Sequence, residues 1–305
     1  KVTRSWGGND QQGLAYGLLD GGRGLLAAVL ASLGVLAFAS AFPLGYDSAT
    51  LTEKGVILRQ VIYGYTAATA AVGVMVWFTL RGIPVETEAE RDSGWATALA
   101  QLRGVIKLKV VWLQATVLVC AYSSYKAFDQ YALFAVRGHG IDEIDAAQIV
   151  TAGAWTRPVA ALALGLLGDR FGISRMAVVC FVLLIISHSL FAFTGQALGS
   201  LSMILLNTLV TGVAIFGLRG LYFGLLEEGQ IPLAVTGTAV GLVSVIGYTP
   251  DVYVAAIAGY LIDQNPGLLG FQHLFVLLLS FSIVGALAAL AFTREATPSS
   301  VTSAH

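Results

Sequence analysis

Charge is what this 305-residue chain has least of: Asp, Glu, Lys and Arg together make up 11% of it, against 56% apolar residues. Soluble domains carry about a quarter charged residues, so a water-facing surface is excluded for most of the chain. Cysteine is scarce as well. Cys120 and Cys180 both fall in apolar runs, which rules out a disulfide framework and metal-ligand spacing and leaves packing as their use. The four histidines are scattered and neither HExxH nor GxSxG occurs, so the chain is expected not to be an intramembrane enzyme and to need no metal and no cofactor. No P-loop is present to drive primary pumping, and a net charge of −1 gives nucleic acid nothing to bind. The period-two alternation of a membrane barrel is missing too.

What remains is long apolar runs, reflected in a mean hydropathy of +0.78. A helix needs about 20 apolar residues to cross roughly 30 Å of hydrocarbon. The runs predict eight such helices, over 14–42, 57–80, 109–136, 144–167, 175–195, 200–226, 233–262 and 269–293. The expected class is therefore an all-α polytopic membrane protein with eight transmembrane helices. The opening stretch KVTRSWGGNDQQG has no signal-peptide h-region, and the sequence reads as one that starts inside a longer chain.

Cation placement sets an expected orientation. With the N-terminus cytoplasmic, that side holds Lys1, Arg4, Arg81, Arg91, Arg103, Lys107, Lys109, Arg170, Arg175 and Arg294, against Lys54, Arg59 and Arg137 outside. Both ends of the chain then lie in the cytoplasm. The polar stretch RGIPVETEAERDSGWATALAQLRG separates the second and third helices and reads as a cytoplasmic linker, 82–106, whose Glu86, Glu88, Glu90 and Asp92 form a solvated acidic run. It divides two helices (1–81) from a six-helix block (107–294), with a cytoplasmic tail at 295–305.

One loop breaks the apolar pattern. GLLGDRFGISRM crowds Asp169, Arg170 and Arg175 between the second and third helices of the six-helix block, spaced as Gly165-x-x-x-Asp169-Arg170-x-Gly172-x-x-Arg175. Gly165 and Gly172 permit close helix approach and a tight turn, while Asp169 suits a cation or a helix N-terminus. The bland reading is a loop anchored on the positive side of the membrane.

The loop resembles the signature G-x-x-x-D-[RK]-x-G-[RK]-x-[RK] of the major facilitator superfamily, which recurs between the second and third helices of each six-helix half. That resemblance implies a twelve-helix carrier of which this chain holds helices 5 to 12: 1–81 would be the last two helices of the N-terminal half and 107–294 the C-terminal half. GLAYGLL (13–19) and GTAVGLV (237–243) fit that register, since they open the equivalent helices five and eleven with a shared Gly-x-x-x-Gly-Leu. RGLYFGLLEEGQIPLAVTGTAVGLVSVIGYTPD and GLLDGGRG look like the bacterial branch near the organophosphate and hexose-phosphate antiporters, implying the inner membrane. That branch implies an arginine five residues before an aspartate on helix seven; here Ser124 stands five before Asp129, and the nearest cation is Lys126.

The buried charges carry the chemistry. Lys126, Asp129, Arg157 and Asp251 lie nearer the middle of their spans than the ends, where facilitator-type carriers bind cargo. Lys126 and Asp129 share a helix face three residues apart, so they either neutralise each other or offer charge to an anion and carry a proton. Asp20 and Arg23 repeat that spacing and read as a structural pair. Arg157 precedes Pro158 and either forks onto a substrate carboxylate or phosphate, or pairs with Asp129 or Asp251. Asp251 follows a helix break at Gly247 and Pro250, which leaves capping or proton binding open. Arg219 stands two turns from Glu227 and Glu228, as a gate pair or a snorkelling cation. Tyr122, Tyr125, Phe128 and Tyr131 form an aromatic stripe that either packs or lines a binding wall, and His188 reads as packing.

These expectations converge on a secondary active transporter, proton-coupled symporter or antiporter, moving a small organic anion such as a sugar phosphate, sugar acid or carboxylate. Its partners would be that anion and membrane lipid, with no nucleic acid, and the protein would be a monomer. The gating set would be Gly165, Asp169, Arg170, Gly172 and Arg175, acting as a latch that need not touch substrate. A transporter-like sensor that binds the ligand without moving it is the alternative.

Overall fold

A computed structural model of the protein describes residues 2–8, 10–41, 50–80 and 95–296. Among them every regular element is helical: α1 (Val2–Gly7), α2 (Gln12–Ala41), α3 (Leu51–Leu80), α4 (Trp95–Ile106), α5 (Lys109–Ala127), the single turn α6 (Tyr131–Leu133), α7 (Glu143–Phe171), α8 (Ile173–Phe193), α9 (Leu201–Leu221), α10 (Leu225–Glu228), α11 (Thr236–Gly247), α12 (Pro250–Gln264) and α13 (Leu268–Ala296). Seven of the described helical segments are long and apolar enough to span a membrane, with α11 and α12 counted together as Thr236–Gln264. An eighth is reached by counting the pair Leu99–Ile106 and Lys109–Gly138, bent by 80° at its break. The protein is an all-α polytopic membrane protein. Its outward faces agree: Val252, Val245 and Val159 are 82%, 76% and 69% exposed, an arrangement suited to lipid and unfavourable in water.

Two spans depart from regular α geometry. The third expected helix, 109–136, tightens to a 3₁₀ turn at Phe128–Gln130 and widens to a π segment at Phe134–Gly138. The expected break at Gly247 and Pro250 is present: α11 stops at Gly247, and Pro250, which has no N–H to give, starts α12. Pro158, by contrast, is accommodated inside α7. Of the expected linker, α4 occupies Trp95–Ile106; the acidic run Glu86, Glu88, Glu90 and Asp92 lies outside the described residues.

The chain divides into two compact units, Lys1–Leu25 with Ala98–His305, and Leu26–Thr97. In the first, helices close on one another at small residues, as they must where lipid is as apolar as the side chains and packing alone favours association. A Cβ on Gly220 of α9 would stand 2.9 Å from the Ala161 carbonyl oxygen of α7, and one on Gly212 2.6 Å from Thr156 Oγ1. Phe134, Phe191, Phe271 and Phe275 fill the interior, the Phe134 ring 4.8 Å from Phe191 and 5.0 Å from Phe275 between centroids. Some buried polar groups are tied within the bundle: Asn207 donates to the Ser187 carbonyl at 3.1 Å, and His188, fully buried, meets Ser282 Oγ through Nδ1 at 3.0 Å while its Nε2 has no hydrogen-bond partner.

In the second unit, Thr50 and Glu53 form a reciprocal cap at the start of α3, the Thr50 N–H bonding Glu53 at 2.8 Å and the Glu53 N–H bonding Thr50 Oγ1 at 3.3 Å. Tyr65 of α3 donates to the Leu30 carbonyl of α2 at 2.5 Å. The outer face of α3 shows Tyr63, Trp77 and Phe78, each more than 60% exposed.

Candidate functional site: a buried charge cluster and a capped loop

α2 approaches α7 along a glycine stripe. A Cβ on Gly17 would stand 2.6 Å from the Ala161 carbonyl oxygen and one on Gly21 3.2 Å from that of Pro158, while Gly13 faces Gly165 backbone to backbone. This close approach carries Asp20 to Arg157. The guanidinium forks onto the carboxylate, Nε to Oδ2 at 3.2 Å and Nη2 to Oδ1 at 2.8 Å. Arg219 of α9 joins through Nη2, 3.5 Å from Asp20 Oδ1. The three side chains are 8–11% exposed, and two arginines share one carboxylate. An unpaired charge in such surroundings costs several kcal/mol, which accounts for the fork.

Aromatic rings line the next layer. Arg219 Cζ lies 4.2 Å above the Tyr125 ring centroid and 5.8 Å from that of Tyr122, and Arg157 Cζ lies 5.7 Å from Phe216. Tyr122 packs edge-on to Tyr248 at 4.7 Å, and the Tyr248 and Tyr222 hydroxyls are 3.5 Å apart. Arg219 Nε and Nη1 are buried with no hydrogen-bond partner.

Beyond the tyrosines stands a second, more open charge group. Lys126 Nζ lies 3.4 Å from Asp251 and 3.7 Å from Asp129, and Tyr122 donates its hydroxyl to Asp251 at 3.1 Å. Asp129 is 71% exposed at its side chain and Asp251 49%, against 26% for Lys126. Tyr122, within ring contact of Tyr125 at 5.3 Å, therefore touches Arg219 on one side and Asp251 on the other. The two groups join into one strip of charge and aromatic surface: positive in excess at its buried end, negative in excess at its exposed end.

No protein-family model matches the chain. Two curated proteins of Escherichia coli (strain K12) are similar to it. Inner membrane protein YihN is 24% identical over 97% of this chain and 69% of its own length. Inner membrane protein YqcE is 23% identical over 91% of this chain and 64% of its own length. The chain thus spans about two thirds of the relatives it matches.

The signature-like loop is built on carboxylates at helix N-termini. Asp169, at the end of α7, accepts the backbone N–H groups of Gly13 and Leu14 at 2.6 and 2.8 Å, capping the first turn of α2. Gly172 holds φ at +101°, a conformation other residues rarely adopt. One residue on, α8 begins, and Glu228 of α10 accepts the Ser174 N–H at 2.7 Å and its hydroxyl. Arg175 is exposed, and Arg170 lies over Phe171, 5.2 Å from Cζ to ring centroid.

Sequence spacing alone pairs Asp20 with Arg23, Lys126 with Asp129, and Arg219 with Glu227. The structure brings Lys126 to Asp129 and adds Asp251, but joins Asp20 to Arg157 and Arg219, leaving Arg23 on the exposed face of α2. Arg157 meets Asp20 rather than Asp129 or Asp251, and Glu227 is half-buried in α10 beside the capping Glu228. The missed partnership had a partial signal: Arg157 and Arg219 stand inside long apolar runs, where a single cation needs a carboxylate from another helix.

Proposed function

We propose that the protein is a secondary transporter of the bacterial inner membrane that carries a small organic anion by alternating access, coupled to protons or to a counter-substrate. It would be built as the last eight helices of a facilitator-type carrier, with α2 and α3 closing the N-terminal half and α5 to α13 forming the C-terminal half. Cations buried inside helical spans support the anionic cargo, since such charges are kept at a cost where a pathway needs them. The names of the two relatives support the inner membrane. The observation that carries the reading is the contact of Asp169 with the first turn of α2. It joins two helices through a side chain and two N–H groups, so it can be released whole, as a latch between access states must be. In this reading the loop faces the cytoplasm, the protein works as a monomer in lipid, and Lys126, Asp129 and Asp251 serve substrate or proton exchange at the open end of the strip.

The test is uptake into proteoliposomes by the full gene product, over sugar phosphates, sugar acids and small carboxylates, with and without an inward proton gradient. Uptake of one class, lost in Arg157→Gln or Lys126→Gln, is the expected result. Binding without uptake under every gradient would replace the transporter by a sensor.

A further inference from the structure

The charges around Asp20 do not cancel. Arg157 and Arg219 bring two positive charges and Asp20 one negative, all within a site 8–11% exposed. The single carboxylate is shared unequally. Arg157 holds it through two nitrogens at 2.8 and 3.2 Å, whereas Arg219 reaches it through one at 3.5 Å. Arg219 therefore keeps Nε and Nη1 buried without an acceptor, on a residue 8% exposed. A guanidinium gives up its hydration only when other acceptors replace water, so two idle N–H groups in a buried site mark a place for an acceptor. Stacking on Tyr125 at 4.2 Å offsets part of the charge but accepts no in-plane hydrogen bond.

We propose that Arg219 is the anion-binding centre of the site and that Asp20, clamped by Arg157, is its permanent counter-ion, so that the ligand is an oxyanion of one negative charge. The inference rests on the transport reading and sharpens its substrate class. The ligand's carboxylate-like group takes the idle N–H groups of Arg219, and its body lies along Tyr125, Tyr122 and Tyr248. One charge neutralises the buried end of the strip. A dianion leaves it negative beside Asp20, and an uncharged analogue leaves Arg219 as it is. Lys126 is excluded as the anchor because Asp129 and Asp251 already outnumber it. Asp20 thereby acts as a charge filter, selecting by repulsion as well as by attraction.

The test is a matched charge series, glucose, gluconate and glucarate, read by thermal shift and calorimetry on the full gene product in nanodiscs. Gluconate is expected to bind saturably and better than the other two. Arg219→Lys keeps the charge but loses the planar donor set, and should weaken gluconate by about 10- to 100-fold, the range for losing one to two charge-assisted hydrogen bonds. Asp20→Asn removes the filter and should move the preference from gluconate toward glucarate by at least about tenfold. Should Asp20→Asn fail to fold, the series on wild type and Arg219→Lys decides alone. No saturable response to any of the three, a preference for glucarate in the wild type, or gluconate binding untouched in Arg219→Lys overturns the proposal. Uptake that survives Arg219→Lys unchanged sinks this site but keeps the transporter; gluconate binding without any uptake keeps the site and sinks the transporter.

Discussion

Replacing Asp169 by asparagine is the sharpest perturbation of the proposed latch, because it changes one atom and one charge. The carboxylate accepts two backbone N–H groups of α2, from Gly13 and Leu14. An asparagine oxygen can keep one of them; its amide then meets the other N–H donor to donor. The change removes one charge-assisted hydrogen bond, worth about 1.5–3 kcal/mol, and the attraction of a full charge for a helix N-terminus, worth about 0.3–1 kcal/mol. Asp169 is only partly buried, so solvent replaces some of this, and about 2 kcal/mol is the working figure. That is roughly a thirtyfold shift between the capped arrangement and any in which α2 has left the loop. Spin labels at Leu18→Cys and Leu166→Cys, both exposed in the native protein, would report the separation of α2 and α7, with Cys120 and Cys180 buried away from the reagent. A second distance should appear in Asp169→Asn, and uptake should lose turnover more than apparent affinity. A single unchanged distance together with an unchanged transport rate would refute the reasoning.

The glycine stripe makes a packing prediction. Gly17→Leu places a Cβ against the Ala161 carbonyl and should cost about 1–3 kcal/mol of thermal stability, whereas Gly22→Leu on the same helix meets nothing within 4 Å and should be silent in the same melt. Glu228→Gln keeps one of the two acceptors at the start of α8 and should cost about 1 kcal/mol, seen as faster hydrogen exchange at Ser174; unchanged exchange would count against the cap. His139 lies in the connection before α7, partly buried, edge-on to Phe134 at 4.8 Å, and burial holds its pKa below the usual histidine value. The unfolded chain then takes up the proton first, so this contribution to stability is complete above about pH 6.5 and fades as the pH falls through the interval down to the lowered folded value. The melting temperature should decline over that interval, and His139→Gln should flatten the decline.

The spans were legible in the sequence because lipid imposes a length and a composition that few other environments demand: seven of the eight expected helices begin within five residues of where the structure begins them, and the break before Asp251 announced itself through Pro250. The 3₁₀ turn at Phe128–Gln130 announced nothing, since KAFDQYALFAV contains neither glycine nor proline, and the π segment at Phe134–Gly138 has only Gly138 at its end to mark it. The capping of α2 by Asp169 was half legible. A carboxylate suited to a helix N-terminus can be read from residue type, but which N-terminus depends on the approach of Gly13 to Gly165.

The charge cluster follows the same logic, and it explains why spacing misled for Asp20 and Arg219 but not for Lys126. Two charges three residues apart on a helix gain a few tenths of a kcal/mol from each other, enough to matter only where nothing stronger competes. Lys126 and Asp129 lie at the open end of the strip, where water leaves that small gain in place. Asp20 lies where α2 and α7 touch through glycine, and there a forked guanidinium on another helix outweighs Arg23 on its own. The glycines therefore choose the charge partners: by letting α2 come close enough for Asp20 to reach Arg157, they also leave Arg219 with donors to spare. The small residues of GLAYGLLDGGRG and the charge available to an anion are one structural arrangement, so a substitution such as Gly24→Leu, whose Cβ would stand in the path of the Arg157 side chain, should disturb ligand charge preference by displacing Arg157 without replacing any charged residue. Preserved preference for gluconate over glucarate in a folded Gly24→Leu protein would separate the two.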